Sequence, residues 1–317
     1  MSEIPRRPFG ATGESVTALS MGCGFPGFAG FDRSIETVRR AHELGVRYFD
    51  TSVLYRAGAS QAIVGAALAE RAGHTLATKC GYFREARQFR SVTALRAQLG
   101  ESLRLLRRDS VDVLQIHEAD WGNWWMDRAD VGHSELFDPE GDFDFAGAPV
   151  VEFLREAKAE GLCRRIGITG NNARHLARLV RELDGFDSVL VAYNYTPLNA
   201  SARRDVLPAA AAKGMATIVA GLFTFVNSIP AGWRTEGTYF GPHADRQLAA
   251  LKKLQRDCGI PMAELALRFV VPEERISTIL VGSCHPSEIE QNVASFERGP
   301  LPDDIHAAME AIAAEFG

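Results

Sequence analysis

Eight times along this chain a short apolar run gives way to a stretch with helical spacing, and few folds tolerate that rhythm. The runs fall at 16–21, 46–50, 75–80, 111–117, 165–170, 188–195, 215–221 and 276–281. Helices are expected from Ser34 to Gly45, at 61–72, and from Ser91 through Leu95, Leu99, Leu103 and Leu106. Further helical stretches lie at 150–161, 173–183, 203–213, 244–258, 262–270 and 286–292. Strands alternating with helices predict βα units and a parallel sheet, hence an α/β fold. Residues 7–18, with Gly10 and Gly13, read as a short hairpin ahead of it. No period other than the βα alternation recurs, so residues 1–317 are expected to form one domain.

Three of the runs end in groups that belong together chemically. The run at 46–50 ends in Asp50 and leads through Thr51-Ser52-Val53-Leu54 to Tyr55. The next contains Lys79 at its end, and the one after that ends in His117. Successive strands of one parallel barrel deliver their C-terminal tips to one rim, so Asp50, Lys79 and His117 are expected together, with Tyr55 above them. A free phenol has a pKa of about 10, and a lysine ammonium beside it is expected to lower that value. Asp50 then orients Lys79, and His117 donates to the oxygen that Tyr55 protonates. The set suits carbonyl reduction with Tyr55 as general acid, or alcohol oxidation with Tyr55 as general base. Hydride has to come from a cofactor, because no side chain supplies it. Acyl transfer has no support, since no Gly-x-Ser-x-Gly occurs. His117, Glu118 and Asp120 cluster at a strand end, but with one histidine, and alternation points Glu118 away from the face of His117. No metal is therefore expected.

The context Phe49-Asp50-Thr51-x3-Tyr55, with Ala77-Thr78-Lys79 and Asp112-x4-His117, resembles the catalytic tetrad of the aldo-keto reductases. The resemblance runs from about residue 10 to about residue 292. It implies a (β/α)8 TIM barrel, plugged at the bottom by the hairpin, with Asp50, Tyr55, Lys79 and His117 as catalytic residues and a nicotinamide dinucleotide as cofactor. Implied cofactor contacts are Gly22, Cys23, Asp50, Thr169, Asn171, Gly221 and Leu222 on the top face. Gly282, Ser283, Glu288 and Asn292 join them at the start of the helix after the last strand, where backbone N–H groups favour phosphate. Family members that use NADP carry an arginine four residues before a closing asparagine. Here that position is Glu288, and no lysine or arginine lies between Val281 and Asn292. A carboxylate repels a 2′-phosphate and suits a free ribose diol, so NAD is expected over NADP.

The chain departs from the family pattern in three places. The tyrosine usual after the seventh strand is absent from 219–223, Leu190 stands where a glutamine is usual, and Thr169-Gly170 replaces a serine-asparagine pair. Asn171 or Asn172 is then the candidate for the carboxamide. Residues 77–81, 167–170 and 279–282 resemble the branch with L-galactose dehydrogenase and the D-threo-aldose 1-dehydrogenases. That resemblance implies oxidation of a sugar or cyclic hemiacetal to a lactone with NAD. The alternatives are an NADPH-dependent carbonyl reductase, or a non-catalytic nicotinamide-binding barrel that regulates a partner.

Composition narrows the setting. A chain that is 46% hydrophobic and 24% charged suits a soluble globular protein with a large core. The formal charge of −5 makes no case for nucleic acid. Five scattered cysteines without a Cys-x-x-Cys pair suit a reducing cytosol. Neither an apolar leader nor a run of ~20 apolar residues is seen, so no signal peptide and no membrane contact are expected. The expected partner is a small-molecule substrate, met by a monomer or homodimer. Two long loops, 118–148 and 222–243, break the rhythm. The first is read either as a lid or pocket wall, or as a self-packed surface loop. Tyr82, Trp121 and Trp124 are candidates to stack on a substrate face. His42, His74, His175 and His306 are expected to be solvated.

Overall fold

In the computed structural model, which describes residues 3–25, 27–127, 134–226 and 243–314, strand pairing closes on itself. An antiparallel hairpin of β1 (Arg6–Pro8) and β2 (Ser15–Thr17) comes first. Eight parallel strands follow: β3 (Leu19–Gly22), β4 (Tyr48–Asp50), β5 (Thr75–Cys80), β6 (Val111–Ile116), β7 (Cys163–Gly170), β8 (Ser188–Ala192), β9 (Ala216–Ala220) and β10 (Thr278–Gly282). β10 pairs with both β9 and β3, Ile279 lying opposite Leu19, and this last ladder shuts the (β/α)8 barrel. Closure removes the open edges that a parallel sheet otherwise has to cover.

The helices are α1 (Phe31–Glu43), α2 (Ala59–Leu68), a short α3 (Ala86–Phe89), α4 (Val92–Leu106), α5 (Pro149–Ala159) and α6 (Ala173–Glu182). They continue as α7 (Ser201–Ala212), α8 (Ala244–Cys258), α9 (Met262–Val270), α10 (Pro286–Glu297) and α11 (Asp303–Ala314). Their buried faces and the outward strand residues make one large apolar core. A second, smaller cluster fills the lumen: Tyr48, Ala77, Val113, Leu190, Ile218 and Leu280 pack with Phe9 and Val16 of the hairpin. Side chains on a strand alternate faces. Two residues beyond Tyr48, Ala77, Val113 and Leu280 stand Asp50, Lys79, Gln115 and Gly282. The lumen is thus apolar below and polar at its upper rim.

Several boundaries differ from the sequence reading, each for a local reason. The hairpin claims Val16 and Thr17, and the Ala18 N–H closes it on the Pro5 carbonyl at 2.8 Å, so the first barrel strand is β3 rather than 16–21. α1 begins behind Gly30, not at Ser34, whose hydroxyl donates to the Gly30 carbonyl at 2.8 Å inside the first turn. α11 was not anticipated; the Gln247 amide of α8 donates to its Ile312 carbonyl at 2.8 Å. His175 is buried rather than solvated, its ring nitrogens meeting Asn172 Oδ1 at 2.7 Å and the Phe137 carbonyl at 2.8 Å. Among the described residues no helix is long and apolar enough to cross a membrane.

α2 lies so close to the end of α4 that a Cβ on Gly65 would sit 2.9 Å from backbone atoms of Leu106. Alanine favours a helix interior over glycine by about 1 kcal/mol. Overpacking against unyielding backbone costs about 1–3 kcal/mol and outweighs it. Gly65→Ala should therefore lower the free energy of unfolding in a urea titration by up to about 2 kcal/mol. A stabilised variant would mean that the two helices part easily.

Candidate active site

Eight non-glycine residues among those described have left-handed φ, and six follow the C-terminal ends of barrel strands: Phe25, Arg56, Ala57, Tyr82, Glu118 and Tyr193. Such backbone costs energy and gathers where function demands it. A cavity of about 530 Å³ opens at this rim, and Asp50, Tyr55, Lys79 and His117 all line it.

The base of the cavity is a buried ion pair. Lys79 Nζ donates to Asp50 Oδ1 and to the Thr51 carbonyl, the latter at 2.9 Å. Gln115 Nε2 donates to the second Asp50 oxygen at 2.9 Å. Asp50 and Lys79 are each 2% exposed, so removing either partner strands a charge at a cost of about 3–5 kcal/mol. Above them the Lys79 ammonium lies 4.8 Å from the centre of the Tyr55 ring. His117 meets the same ring edge-on at 5.6 Å. Arg56, next to Tyr55, anchors the strained loop by donating to the Phe25 carbonyl at 2.6 and 3.1 Å.

The electrostatics correct one expectation. Burial first, then the Asp50 and Glu118 carboxylates, push the Tyr55 phenol well above its ordinary value instead of lowering it. The Lys79 ammonium is committed to Asp50 and Thr51, and no hydrogen bond joins it to the Tyr55 hydroxyl. Burial and the nearby Lys79 hold His117 well below the usual imidazole range, so the ring is neutral. Ser52 Oγ accepts the Leu54 N–H at 3.1 Å and lies 2.9 Å from His117 Nδ1. Donating its own hydrogen to Nδ1 leaves the ring proton on Nε2, as a hydrogen-bond donor.

Glu118 breaks the alternation on which the sequence reading relied. Its φ of 51° turns the chain out of strand geometry, and its side chain lines the same cavity as His117. Asn171 Nδ2 donates to Glu118 Oε1 at 2.7 Å, and the Tyr82 phenol also bonds this carboxylate. Burial raises the Glu118 carboxyl above its ordinary value, and its Oε2 is buried without a hydrogen-bond partner among the described residues. Asp120 behind it is pushed up to about 7 by burial, and accepts the Asn171 N–H at 2.8 Å.

The remaining candidates divide. Gly22, Thr169, Asn171, Gly221, Leu222 and Gly282 line the cavity. Cys23 does not; it is wholly buried, with its N–H on the Asp50 carbonyl at 2.7 Å. Asn172 accepts the Arg174 and His175 N–H groups as the cap of α6, which occupies it away from the cavity. Asn292 donates to Ser283 Oγ at 3.1 Å where α10 begins, just beyond Gly282. Glu288 is exposed, and one of its oxygens accepts the Cys284 N–H at 2.6 Å and the His285 N–H at 3.2 Å.

Tyr82 packs 4.6 Å from the His117 ring and 4.8 Å from Trp121, behind the cavity wall. Trp124 is no substrate platform: it is 0% exposed and donates its indole N–H to the His117 and Glu118 carbonyls, each at 3.1 Å. The described part of the loop after β6 packs on itself, with Phe137, Phe143 and Phe145 in mutual contact under Arg178. Most of the other long loop, 227–242, lies outside the described residues.

Sequence reasoning passed over four residues. Gln115 was findable, since Val113, Gln115 and His117 share one strand face; Ser52, two beyond Asp50, carried a weaker hint. Glu118 and Tyr193 carried none, because their placement follows from left-handed backbone that the local sequence does not announce.

A closed parallel barrel with a buried lysine–aspartate pair, a phenol and a neutral imidazole at its C-terminal rim defines an oxidoreductase barrel. The chain belongs to the Aldo/keto reductase family, whose profile matches residues 21–314. It is similar to L-galactose dehydrogenase from Arabidopsis thaliana, 30% identical over 312 residues that cover 93% of this chain and 89% of that one. It is also similar to D-threo-aldose 1-dehydrogenase from a Pseudomonas species, 26% identical over 308 residues covering 88% and 87%. An aldo-keto reductase from Bacillus halodurans in its holo form shares the fold, with a TM-score of 0.76 at 22% identity over 98% of this chain and 97% of that one. The nicotinamide cofactors of the family fit the residues present. Gly24 and Gly282 line the cavity, and a Cβ on either would meet no atom within 4 Å, so open volume borders bare backbone there.

Ser52→Ala should free the His117 ring. Turnover of an accepted substrate is expected to fall roughly 10- to 100-fold, at or below the smallest contribution of a proton-transfer group itself because Ser52 acts through His117, with cofactor affinity unchanged. Steady-state kinetics beside a cofactor titration checks this, and full activity would remove Ser52 from the site.

Proposed function

We propose that this protein oxidises a sugar or cyclic hemiacetal at a hydroxyl-bearing carbon, giving a lactone, with NAD as the electron acceptor. The observation that carries this reading is the set of Tyr55 and His117, in edge-to-face contact on one cavity, above the buried Lys79–Asp50 pair. When bound, the dinucleotide supplies the hydride acceptor. Tyr55 takes the proton of the substrate hydroxyl. His117 donates from Nε2 to that same oxygen. Lys79, held by Asp50 and the Thr51 carbonyl, supports the Tyr55 ring from below. Glu118 accepts from a neighbouring hydroxyl, a group that a sugar has and a simple alcohol lacks. The named activities of the two dehydrogenase relatives agree with this, as does pyridoxal 4-dehydrogenase from Microbacterium luteolum at 26% identity.

The preference for NAD rests on Glu288, whose charge stands at the start of α10 with no lysine or arginine between Val281 and Asn292. A relative from Escherichia coli, 26% identical, is a methylglyoxal reductase named as NADH-specific. Comparing catalytic efficiency with the two cofactors tests the assignment; a strong preference for NADP ends it.

One observation favours carbonyl reduction, with NADPH or NADH, as the second reading. Burial keeps the Tyr55 phenol protonated, which is the form a general acid needs. The sign is definite. A raised pKa means that the deprotonated form required for oxidation grows as pH rises, so kcat/KM for oxidation should climb from pH 7 to 10 while reduction stays flat near neutrality. Tyr55→Phe should lower turnover in either direction by about 10²- to 10⁴-fold and spare cofactor binding. An unchanged rate in that variant defeats the mechanism.

A further inference from the structure

Tyr193 is a partly buried aromatic on the cavity wall that the proposed chemistry leaves unused. It stands one residue past the end of β8 with a φ of 65°, and its N–H donates to the Ala220 carbonyl of β9 at 3.0 Å. The neighbouring Gly221 is also left-handed, at φ +76°. A Cβ on Gly221 would lie 2.7 Å from Tyr193 Cε1 and 3.0 Å from its backbone nitrogen. Only glycine lets the Tyr193 ring rest against the end of β9 in this way. Two strand ends, one hydrogen bond and one missing Cβ therefore fix the ring where it is.

The ring also faces the right chemistry. Proton and hydride leave adjacent atoms of a hydroxyl-bearing carbon, so the acceptor ring has to lie beside the place where Tyr55 works. Tyr193 shares the cavity wall with Tyr55. Phe223 lines the cavity too, but from the turn after β9 rather than from a strand end.

We propose that Tyr193 is the positioning residue for the nicotinamide ring, its aromatic face set by Gly221 so that the ring lies flat within reach of Tyr55. This rests on the nicotinamide-dependent reading above. A planar heterocycle gains from an offset aromatic neighbour, and a branched aliphatic residue does not replace that contact.

The test is calorimetric titration of the intact protein with NAD and, separately, with ADP-ribose, which lacks the nicotinamide. Wild type should bind both; binding of neither overturns the nicotinamide reading itself. Tyr193→Leu should weaken NAD about 10-fold and leave ADP-ribose unchanged, while Tyr193→Phe stays within about 2-fold of wild type for both. In protein carrying 3-fluorotyrosine, the Tyr193 resonance, assigned with Tyr193→Phe, should shift on adding NAD and not on adding ADP-ribose. This second measurement needs no destabilising change. The proposal is overturned if Tyr193→Leu binds NAD like wild type or loses both ligands equally. It is also overturned if Phe223→Leu alone shows the selective loss, or if the fluorine signal ignores NAD.

Discussion

The ion pair between Lys79 and Asp50 is the constraint around which the upper lumen is arranged. Two opposite charges, each nearly inaccessible to water, persist only if their hydrogen-bonding capacity is met. Here the Thr51 carbonyl takes one ammonium hydrogen and the Gln115 amide serves the second carboxylate oxygen. Parallel register makes this possible: Lys79 lies opposite Gln115, and Asp50 lies opposite Ala77, the preceding inward residue of β5, so two neighbouring side chains reach one carboxylate. A slip of one residue on any of the three strands would turn its member outward and leave the others unpaired.

Burial then sets the protonation states above the pair. The same removal of water that makes the ion pair costly to break keeps the Tyr55 phenol protonated and the His117 imidazole neutral. Lys79 contributes through its position against the Tyr55 ring and through orientation, with its charge largely answered by Asp50. Ser52 and Gln115 act through His117 and Asp50 respectively, one selecting a tautomer and the other holding a carboxylate. The wall beside them is acidic, with Glu118 and Asp120 both raised by burial and tied to Asn171.

Glu288 shows how one residue answers to two demands. Its carboxylate caps α10 through two backbone N–H groups, which stabilises the helix start and occupies donors that an anion would otherwise use. Its charge nevertheless remains at the surface, where the proposed choice between NAD and NADP is made. The loop after β6 shows the reverse. Its aromatic content suggested a pocket wall, yet the described rings satisfy one another and Arg178, so composition alone did not decide which surface they would meet.

The amino-acid sequence by itself determined the barrel and the group at its rim. The alternation of strands and helices leaves little choice of fold, and Asp50, Lys79 and His117 each stand at the tip of a strand, where parallel pairing has to bring them together. Gln115 belonged to the same pattern. What only the tertiary structure decided lies wherever the chain leaves regular geometry or exchanges water for protein. The left-handed residues Glu118 and Tyr193 turned their side chains onto the cavity against the local period, and depth of burial reversed the expected shift of the Tyr55 phenol. Trp124 and Cys23 went into the core for the same reason: spacing along a chain fixes which residues share a face, whereas burial and backbone handedness depend on everything packed around them.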